Sequence, residues 1–272
     1  MTCSVASALR QVIWTDSYSE APDTRRHVGV DDHHAAPILD PVAQGVLLHA
    51  MDELFDEYVI MGDEIAGGQI MKGRDTGDLC FIADALDGSA FARHRIPLAS
   101  CSLCAYSRSD RRAIASAVTD ILLGLTYYTA DHLDGAYLEF AGTGYPIHPS
   151  GCTRIEAASC AVLAAQPDRL FALASQERLI QSVRWVLNSC GAIMICRVAS
   201  GDLDFAAEFA KGFRIWDVAA ASHVLEKAGG VFRDSKGKRI VLSANLGERN
   251  PFIAAATQAL FDQVQDTIRW GE

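Results

Sequence analysis

The pattern of apolar residues changes near the middle of this chain, and this change limits the folds that the chain can adopt. The first half contains successive short apolar runs that are typical of strands, including Tyr58–Met61, Leu79–Ala83 and Leu98–Tyr106. In the second half, strand-like runs alternate with helical patterns such as Trp216–Lys227. An alternation of this kind indicates a layered arrangement of helices on a sheet.

The same patterns predict the remaining elements. Further helices are predicted at Ser4–Trp14, Val42–Glu57, Ser175 to about Asn188, and Gln258–Trp270. Further strands are predicted at Val118–Tyr128, Ala136–Phe140, Arg169–Ala174, Phe205–Phe209, Val231–Arg233 and Phe252–Ala255. The segments between these elements include a polar surface loop or lid (Asp16–Asp40), a connector (Gly142–Arg154) and a buried segment (Ala192–Ala199).

Composition excludes several classes of partner. The 272 residues include 24 basic and 34 acidic side chains, a net charge of −10, which gives no electrostatic attraction for duplex nucleic acid or an anionic membrane. The apolar runs are shorter than a membrane span and the N-terminus lacks the features of a signal peptide, so we expect a cytoplasmic protein. Cys101 and Cys104 have the spacing of a redox pair, but we predict a strand there, which places them on opposite faces as structural residues.

Two carboxylates directly follow the apolar run Leu79–Ala83, in the segment Asp84-Ala-Leu-Asp87-Gly88-Ser89. A glycine allows a tight turn, so carboxylates three residues apart can converge on one point. Gly88 and Ser89 then offer backbone N–H groups, and Ser89 a hydroxyl, at the start of a predicted helix, which is a favourable place for a phosphate. Carboxylates beside a phosphate require a cation between them, because like charges repel.

Two further acidic segments lie at the ends of predicted elements. Asp217 follows Trp216 on the first turn of an apolar helix, where a helix cap alone favours an acid by about 0.3–1 kcal/mol. Asp63 and Glu64 follow the strand Tyr58–Met61. Taken alone, each segment is also compatible with a solvated acidic turn.

Together the three segments resemble, in order and spacing, the motifs of the inositol monophosphatase family. That family carries Gly-Glu-Glu, then Asp-Pro-Ile-Asp-Gly-Thr, then Trp-Asp-x-Ala with a later Ala-Gly-Gly. The corresponding segments here are Gly62-Asp63-Glu64, Asp84–Ser89, Trp216–Ala219 and Ala228–Gly230. The resemblance covers about residues 42–260.

The resemblance implies an α+β fold, a layered αβαβα sandwich of the inositol monophosphatase and fructose-1,6-bisphosphatase type. Residues 1–145 would form an N-terminal half with an antiparallel sheet and most metal ligands. Residues 146–272 would form an α/β half that supplies Asp217 and the substrate pocket. Family members are commonly homodimers, and we expect the same here.

The resemblance also implies roles for individual residues. The metal ligands would be Asp84, Asp87, Asp217, the backbone carbonyl of Leu86, and Asp63 or Glu64. Ser89, with Asp63 or Glu64, would take part in catalysis by orienting the attacking water. Substrate would lie against Gly88, Ser89, Gly191, Ala192 and Glu208. The ions would be two or three Mg²⁺ per site, with Mn²⁺ as an alternative, because these ions take hard oxygen ligands.

Several positions depart from the family pattern. The family's proline in the central motif is Ala85, and the usual Gly-Ser-x-Ala near the substrate pocket reads Ser189-Cys190-Gly191-Ala192. About two extra residues occur around Ala210–Arg214, where Lys211 and Arg214 could touch a second phosphate or a nucleotide. The catalytic carboxylates are kept while the substrate-facing positions differ, which favours retained hydrolysis of an altered substrate.

The expected function is therefore a Mg²⁺-dependent phosphomonoesterase that acts on a small sugar, inositol or nucleotide phosphate. Two alternatives within the same superfamily are a fructose-1,6-bisphosphatase and a 3′-nucleotide phosphatase. An alternative of another class is a non-catalytic relative that binds a phosphate ligand or a partner protein.

Overall fold

The computed structural model describes residues 1–14, 39–63, 65, 68–75, 77–163, 170–241 and 247–268, without the side chains of residues 170–175, 210 and 211. Its helices are α1 (Thr2–Trp14), α2 (Leu39–Leu54), α3 (Ser89–Arg93), α4 (Leu170–Ser182), α5 (Ala192–Ala199), α6 (Ile215–Ala228) and α7 (Gln258–Thr267). Its strands are β1 (Tyr58–Gly62), β2 (Gln69–Lys72), β3 (Leu79–Asp87), β4 (Ser100–Ser107), β5 (Arg112–Asp120), β6 (Thr126–Ala130), β7 (Ala136–Phe140), β8 (Thr143–Ile147), β9 (Ser159–Val162), β10 (Trp185–Leu187), β11 (Phe205–Phe213), β12 (Val231–Arg233) and β13 (Asn250–Ala255).

The first sheet has eight strands in the order β2-β1-β3-β4-β5-β6-β7-β8. Its neighbouring strands are antiparallel except for β1 and β3, which run parallel. The carboxyl ends of β1 and β3 therefore lie side by side. Asp63 follows β1, and Asp84 and Asp87 lie in the last part of β3, so these strand ends bring the first two acidic segments together.

The second sheet has five strands in the order β10-β9-β11-β13-β12. β9 pairs in parallel with β10 and β11, whereas β13 pairs antiparallel with β11 and β12. The strands of the first sheet end at Ile147 and those of the second begin at Ser159. The division of the chain into halves at residues 1–145 and 146–272 nevertheless stays a prediction.

Helices and sheets alternate in five layers. α5 and α6 lie between the two sheets, where Ile195 and Val224 belong to one core with Ile82 of the first sheet and Phe252 of the second. α1 and α2 cover the outer face of the first sheet, and α7 and the end of α4 cover that of the second. The predicted αβαβα sandwich is confirmed.

The packing tests the predicted positions of two cysteines. Cys101 lies in the core under α1 and α2, whereas Cys104 lies in the core between the sheets. The two thiols thus occupy opposite faces of β4, as predicted, and both are free.

Among the described residues, no helix is long and apolar enough to span a membrane. The predicted loop or lid at Asp16–Asp40 lies almost wholly outside the described residues.

Several predicted elements are wrong, each for a physical reason. The strand predicted at Val118–Tyr128 is the end of β5, a turn and the start of β6, because the buried Asp120 accepts the N–H groups of Leu122 and Leu123 and ends the strand. The connector predicted at Gly142–Arg154 contains β8, an edge strand that tolerates Pro146 because an edge position needs fewer ladder hydrogen bonds.

The region before α5 was also predicted wrongly. The strand predicted at Arg169–Ala174 is helical from Leu170 onward, and the helix predicted from Ser175 to Asn188 ends at Ser182. A short apolar run does not distinguish a buried strand from a helix by its periodicity. The helix ends early because Trp185–Leu187 pairs with β9 as β10.

The close approach of β1 and β3 at Gly62 gives a stability prediction. A Cβ atom on Gly62 would lie 2.5 Å from the backbone oxygen of Ala83. We expect Gly62→Ala to lower the free energy of unfolding by about 1–3 kcal/mol, because the backbone of β3 has to shift to admit the methyl group. Urea denaturation measures this change.

Gly45 provides the matched control. It lies in α2, and a Cβ atom there would meet no atom within 4 Å. Gly45→Ala should raise the free energy of unfolding by about 0.5–1 kcal/mol, because alanine has the higher helix propensity. Equal stability of Gly62→Ala and the unchanged protein would contradict the packing described for β1.

Candidate functional site

Asp84 and Asp87 lie near the end of β3, separated by an irregularity in that strand. Asp84 pairs in register with Ser102 of β4 and Asp87 with Ser100, so β3 carries one more residue than β4 between these pairs. Residues three apart on a regular strand face opposite sides of the sheet, and a bulge changes that alternation. The irregularity is therefore compatible with two carboxylates that serve one site.

Burial separates Asp84 from the other predicted ligands. Asp84 is 3% exposed, whereas Asp87 and Asp217 are partly exposed and Asp63 is exposed. The Leu86 N–H donates to Asp84 Oδ1 at 3.0 Å, and the Leu86 side chain is buried in the core beneath α1 and α2. A buried carboxylate costs free energy unless a cation or N–H donors stabilise it. The proposed ligand role of the Leu86 carbonyl stays a prediction.

The turn after Asp87 has the predicted form. Gly88 has a φ of 78°, in the left-handed region, and a Cβ atom there would lie 2.8 Å from the backbone oxygen of Leu98. Glycine is the residue that fits both constraints. α3 begins at Ser89, as predicted, and consists of a short segment that ends at Arg93.

Asp63 reaches the same edge of the first sheet from β1. Gly62 of β1 pairs in parallel with Ala83 of β3, so the residues that follow, Asp63 and Asp84, continue side by side. This placement is what the sequence analysis predicts for two metal ligands. Glu64 lies outside the described residues, so the choice between Asp63 and Glu64 as the ligand stays open.

Asp217 lies on the first turn of α6, which the structure fixes next to β3. The Arg214 backbone N–H donates to Asp217 Oδ2 at 2.7 Å, and the Asp217 N–H donates to the Arg214 carbonyl at 3.1 Å. Asp217 thus performs the helix-capping role that the sequence leaves as an alternative. Ser102, the register partner of Asp84, donates its hydroxyl to the Trp216 carbonyl at 3.3 Å, which holds this turn close to Asp84.

An arginine connects two of the predicted ligands, a contact that the sequence analysis missed. Arg214 Nη1 donates to Asp63 Oδ1 at 3.3 Å, while its guanidinium carbon lies 5.0 Å from the centre of the Trp216 ring. Arg214 immediately follows β11, whose pairing with β13 shifts register between Glu208 and Phe213. The extra residues predicted around Ala210–Arg214 coincide with this shift.

The second half of the chain contacts Asp87 through the start of α5. The Ala192 N–H donates to Asp87 Oδ2 at 2.9 Å. A Cβ atom on Gly191 would lie 2.5 Å from the same oxygen, so only a glycine leaves room for this carboxylate. The helix N-terminus favours the negative charge of Asp87. The predicted substrate residues Gly191 and Ala192 thus lie directly beside a predicted metal ligand.

Cys190 lies near the predicted substrate residue Glu208 and near two predicted metal ligands, an environment that the sequence did not indicate. Burial raises the pKa of the Cys190 thiol well above its ordinary value, and the charges of Glu208, Asp87 and Asp217 raise that pKa further. These charges and the burial favour the neutral thiol. Glu208 is fully buried and accepts the Gly212 N–H at 2.6 Å, so its predicted contact with substrate stays a prediction.

The donor set fits a hard divalent cation in its chemistry. The aspartates at the ends of β1 and β3 and on α6 offer only oxygen atoms, which Mg²⁺ prefers. Among the side chains that the structure describes, however, no group of three or more histidine, cysteine, aspartate or glutamate residues is arranged to hold a metal ion. Each of Asp63, Asp84, Asp87 and Asp217 accepts an N–H group from a neighbour. A carboxylate has about four acceptor positions, so these hydrogen bonds leave each of the four able to bind an ion as well.

The opposite end of α6 contains a separate cavity of about 270 Å³, lined in part by His223, Asp131 and Arg112. His223 Nδ1 lies 3.0 Å from the Ser116 hydroxyl, and burial lowers the pKa of His223 to about 4. His223 is therefore neutral near pH 7. It follows Asp217 by six residues, about 9 Å along the helix axis, so it belongs to a different region from the carboxylates.

The fold is a layered αβαβα sandwich with aspartates at adjoining strand and helix ends, and comparison with known proteins identifies its family. The model of the inositol monophosphatase family matches residues 6–268. The chain belongs to the inositol monophosphatase family. Members of this family are generally metal-dependent.

Individual relatives are distant. The chain is 24% identical over 238 residues to the fructose-1,6-bisphosphatase/inositol-1-monophosphatase of Methanothermobacter thermautotrophicus, covering 85% of this chain and 82% of that protein. It is 24% identical over 241 residues to Nus factor SuhB of Escherichia coli K12, covering 85% and 84%. The solved structure of extragenic suppressor protein suhB from Bartonella henselae has the same fold, with a TM-score of 0.77 at 17% identity and coverage of 100% of this chain and 96% of that chain.

The contact between Gly191 and Asp87 can be tested with two glycine variants. We expect Gly191→Ala to lower the free energy of unfolding by about 1–3 kcal/mol more than Gly135→Ala does. Both glycines have a φ of 154°, so both substitutions strain the backbone alike, but a Cβ atom on Gly135 would meet nothing within 4 Å. Thermal and urea unfolding measure the difference, and equal losses would contradict the contact.

Proposed function

We propose that this protein is a Mg²⁺-dependent phosphomonoesterase that hydrolyses a small sugar, inositol or nucleotide phosphate. The observation that carries the proposal is the placement of Asp63, Asp84 and Asp217 at the adjoining ends of β1, β3 and α6. Asp87 lies on the same part of β3 and is held by α5. Membership of the inositol monophosphatase family and named phosphatase relatives support a phosphatase.

Asp84, Asp87, Asp217 and either Asp63 or Glu64 would hold the ions, with the Leu86 carbonyl as a further ligand. When bound, Mg²⁺ neutralises phosphate charge and lowers the pKa of a coordinated water. The buried Asp84 provides a fixed ligand, because the Leu86 N–H and the packing of Leu86 restrain its turn.

The chain's own groups would position the reactants. The Ser89 hydroxyl, together with Asp63 or Glu64, would orient the attacking water. The backbone N–H groups of Gly88 and Ser89 would bind phosphate oxygens. Water attacks phosphorus and the bond from phosphorus to the ester oxygen breaks. The water gives up one proton, and the departing alcohol oxygen takes up one proton, through the surrounding solvent.

Release of phosphate from a panel of esters tests the proposal. The panel contains an inositol monophosphate, a hexose monophosphate, fructose 1,6-bisphosphate and a nucleoside 3′,5′-bisphosphate, each assayed with Mg²⁺, Mn²⁺ or EDTA. We expect turnover of at least one ester with either ion and none with EDTA. The preferred ester distinguishes the general phosphomonoesterase from the bisphosphatase and the 3′-nucleotide phosphatase.

A second candidate is a binding protein without catalytic activity. One observation favours it: a relative that matches most of this chain is named a Nus factor. Binding of phosphate esters with no turnover under any of the conditions above would support this candidate over the enzyme.

We also propose that the protein is a cytoplasmic homodimer. Light scattering after size-exclusion chromatography measures its oligomeric state.

Asp87 gives a sharper test of the proposed metal chemistry. Asp87→Asn keeps an oxygen that can accept the Ala192 N–H but loses the charge that a divalent ion requires. We expect kcat/KM to fall by more than about 100-fold, beyond the range typical of residues that only support a metal ligand. The thermal unfolding temperature in EDTA should be unchanged or higher.

Asp131→Asn is the control for this substitution. Asp131 pairs with Arg112 at 2.8 Å on the far side of α6, so this variant should keep its activity. A loss of less than tenfold for Asp87→Asn would show that Asp87 does not bind the ion.

A further inference from the structure

Arg214 occupies a position between two of the proposed metal ligands. Its guanidinium donates to Asp63 Oδ1 at 3.3 Å, and its backbone N–H donates to Asp217 Oδ2 at 2.7 Å. The guanidinium carbon lies 5.0 Å from the centre of the Trp216 ring, within the range of a cation–π contact. A permanent positive charge is thus present where the proposed ions would bind.

The contact between Arg214 and Asp63 is readily exchanged. The side chains are 36% and 46% exposed, and ion pairs exposed to this degree contribute little to stability. A divalent cation attracts a carboxylate more strongly than a guanidinium does, because it carries twice the charge in a smaller radius. Asp63 can therefore leave Arg214 for a metal ion.

Arg214 remains at the site after that exchange. Stacking on Trp216 and the helix cap at Asp217 hold its position without Asp63. A guanidinium has five N–H donors in a planar fork that matches phosphate oxygens, and Asp63 takes one of them through Nη1. Nε of Arg214 is buried with no hydrogen-bond partner among the described residues. The side chain thus retains the capacity to bind an anion.

We propose that Arg214 pairs with Asp63 in the metal-free protein and is released to bind a phosphate group of the ligand when a divalent ion takes Asp63. The inference rests on the proposed function, because it assigns Asp63 to the metal. Without a bound ion, Arg214 competes with the metal for Asp63. With the ion bound, Arg214 binds a phosphate group. Binding of metal and of phosphate is then coupled through one side chain.

Calorimetric titration of the full chain with Mn²⁺ tests the competition. We expect Arg214→Gln to bind Mn²⁺ about threefold to fivefold more tightly than the unchanged protein in the absence of phosphate, since the competing ion pair is lost. In an Asp63→Asn background, Arg214→Gln should change Mn²⁺ affinity much less. Arg233→Gln is the matched control, because Arg233 pairs with Glu226 at 3.1 Å away from the carboxylates and should leave Mn²⁺ affinity unchanged.

Titration with inorganic phosphate tests the release of the guanidinium. In the Mn²⁺-loaded protein, Arg214→Gln should bind phosphate about tenfold more weakly, because a charge-assisted hydrogen bond is lost. In EDTA, Asp63→Asn should bind phosphate more tightly than the unchanged protein, since it frees Arg214. That gain should be smaller in the double variant, which retains only the general effect of removing a negative charge.

Each outcome bears on the proposal. Unchanged Mn²⁺ affinity in Arg214→Gln, or the same change with and without Asp63, overturns the competition while leaving the proposed function intact. Failure of every variant to bind Mn²⁺ overturns the proposed function as well. If Arg214→Gln proves unstable in thermal unfolding, the comparison of Asp63→Asn with the unchanged protein in EDTA decides the matter, and equal phosphate affinities overturn the proposal.

Discussion

Mutual repulsion among carboxylates is the constraint on which the arrangement of this protein depends. Two carboxylates about 5 Å apart repel each other by roughly 3 kcal/mol at an effective dielectric constant of about 20. In the metal-free chain that repulsion is offset locally: the Leu86 N–H stabilises Asp84, the start of α5 stabilises Asp87, and Arg214 serves both Asp63 and Asp217. The N–H groups around the site thus stabilise the negative charge of the carboxylates, as a bound cation would.

The layered fold makes this arrangement possible. α5 and α6 lie between two sheets, and their buried faces form one core with both. The N-termini of these helices reach β3 and its neighbour β4, where the Ala192 N–H binds Asp87 of β3 and the Trp216 carbonyl binds Ser102 of β4. The backbone groups at the helix N-termini therefore form hydrogen bonds with side chains of the strands.

The sequence predicted most of this architecture because local chemistry determines it. The acidic turn from Asp84 to Ser89 follows an apolar strand and contains a glycine, so its form is set by nearby residues, and α3 begins where it was predicted. α6 likewise has a clear periodicity and ends at a glycine. These segments require no information from distant parts of the chain.

Other features depend on contacts between distant residues and could not be predicted. Leu170–Ser182 is helical although its first residues resemble a strand, and β10 exists because β9 is available to pair with it. The pairing of Arg214 with Asp63 and the position of Cys190 near Asp87, Glu208 and Asp217 arise only when residues far apart in the sequence meet. The sequence places Arg214 in an extra segment beside a possible phosphate, but it does not indicate that Asp63 is its partner.

The long sequence separation of the site contacts has a consequence for biosynthesis. Asp63 and Arg214 are 151 positions apart, and Asp87 and Ala192 are 105 apart. A nascent chain emerging from the ribosome exposes the acidic turn of β3 well before the residues of α5 and α6 that stabilise it have been made. Until then those carboxylates face water and each other. Assembly of the site is consequently among the last events in the maturation of the polypeptide, and a truncated product that ends before α6 lacks Asp217 and leaves the site incomplete.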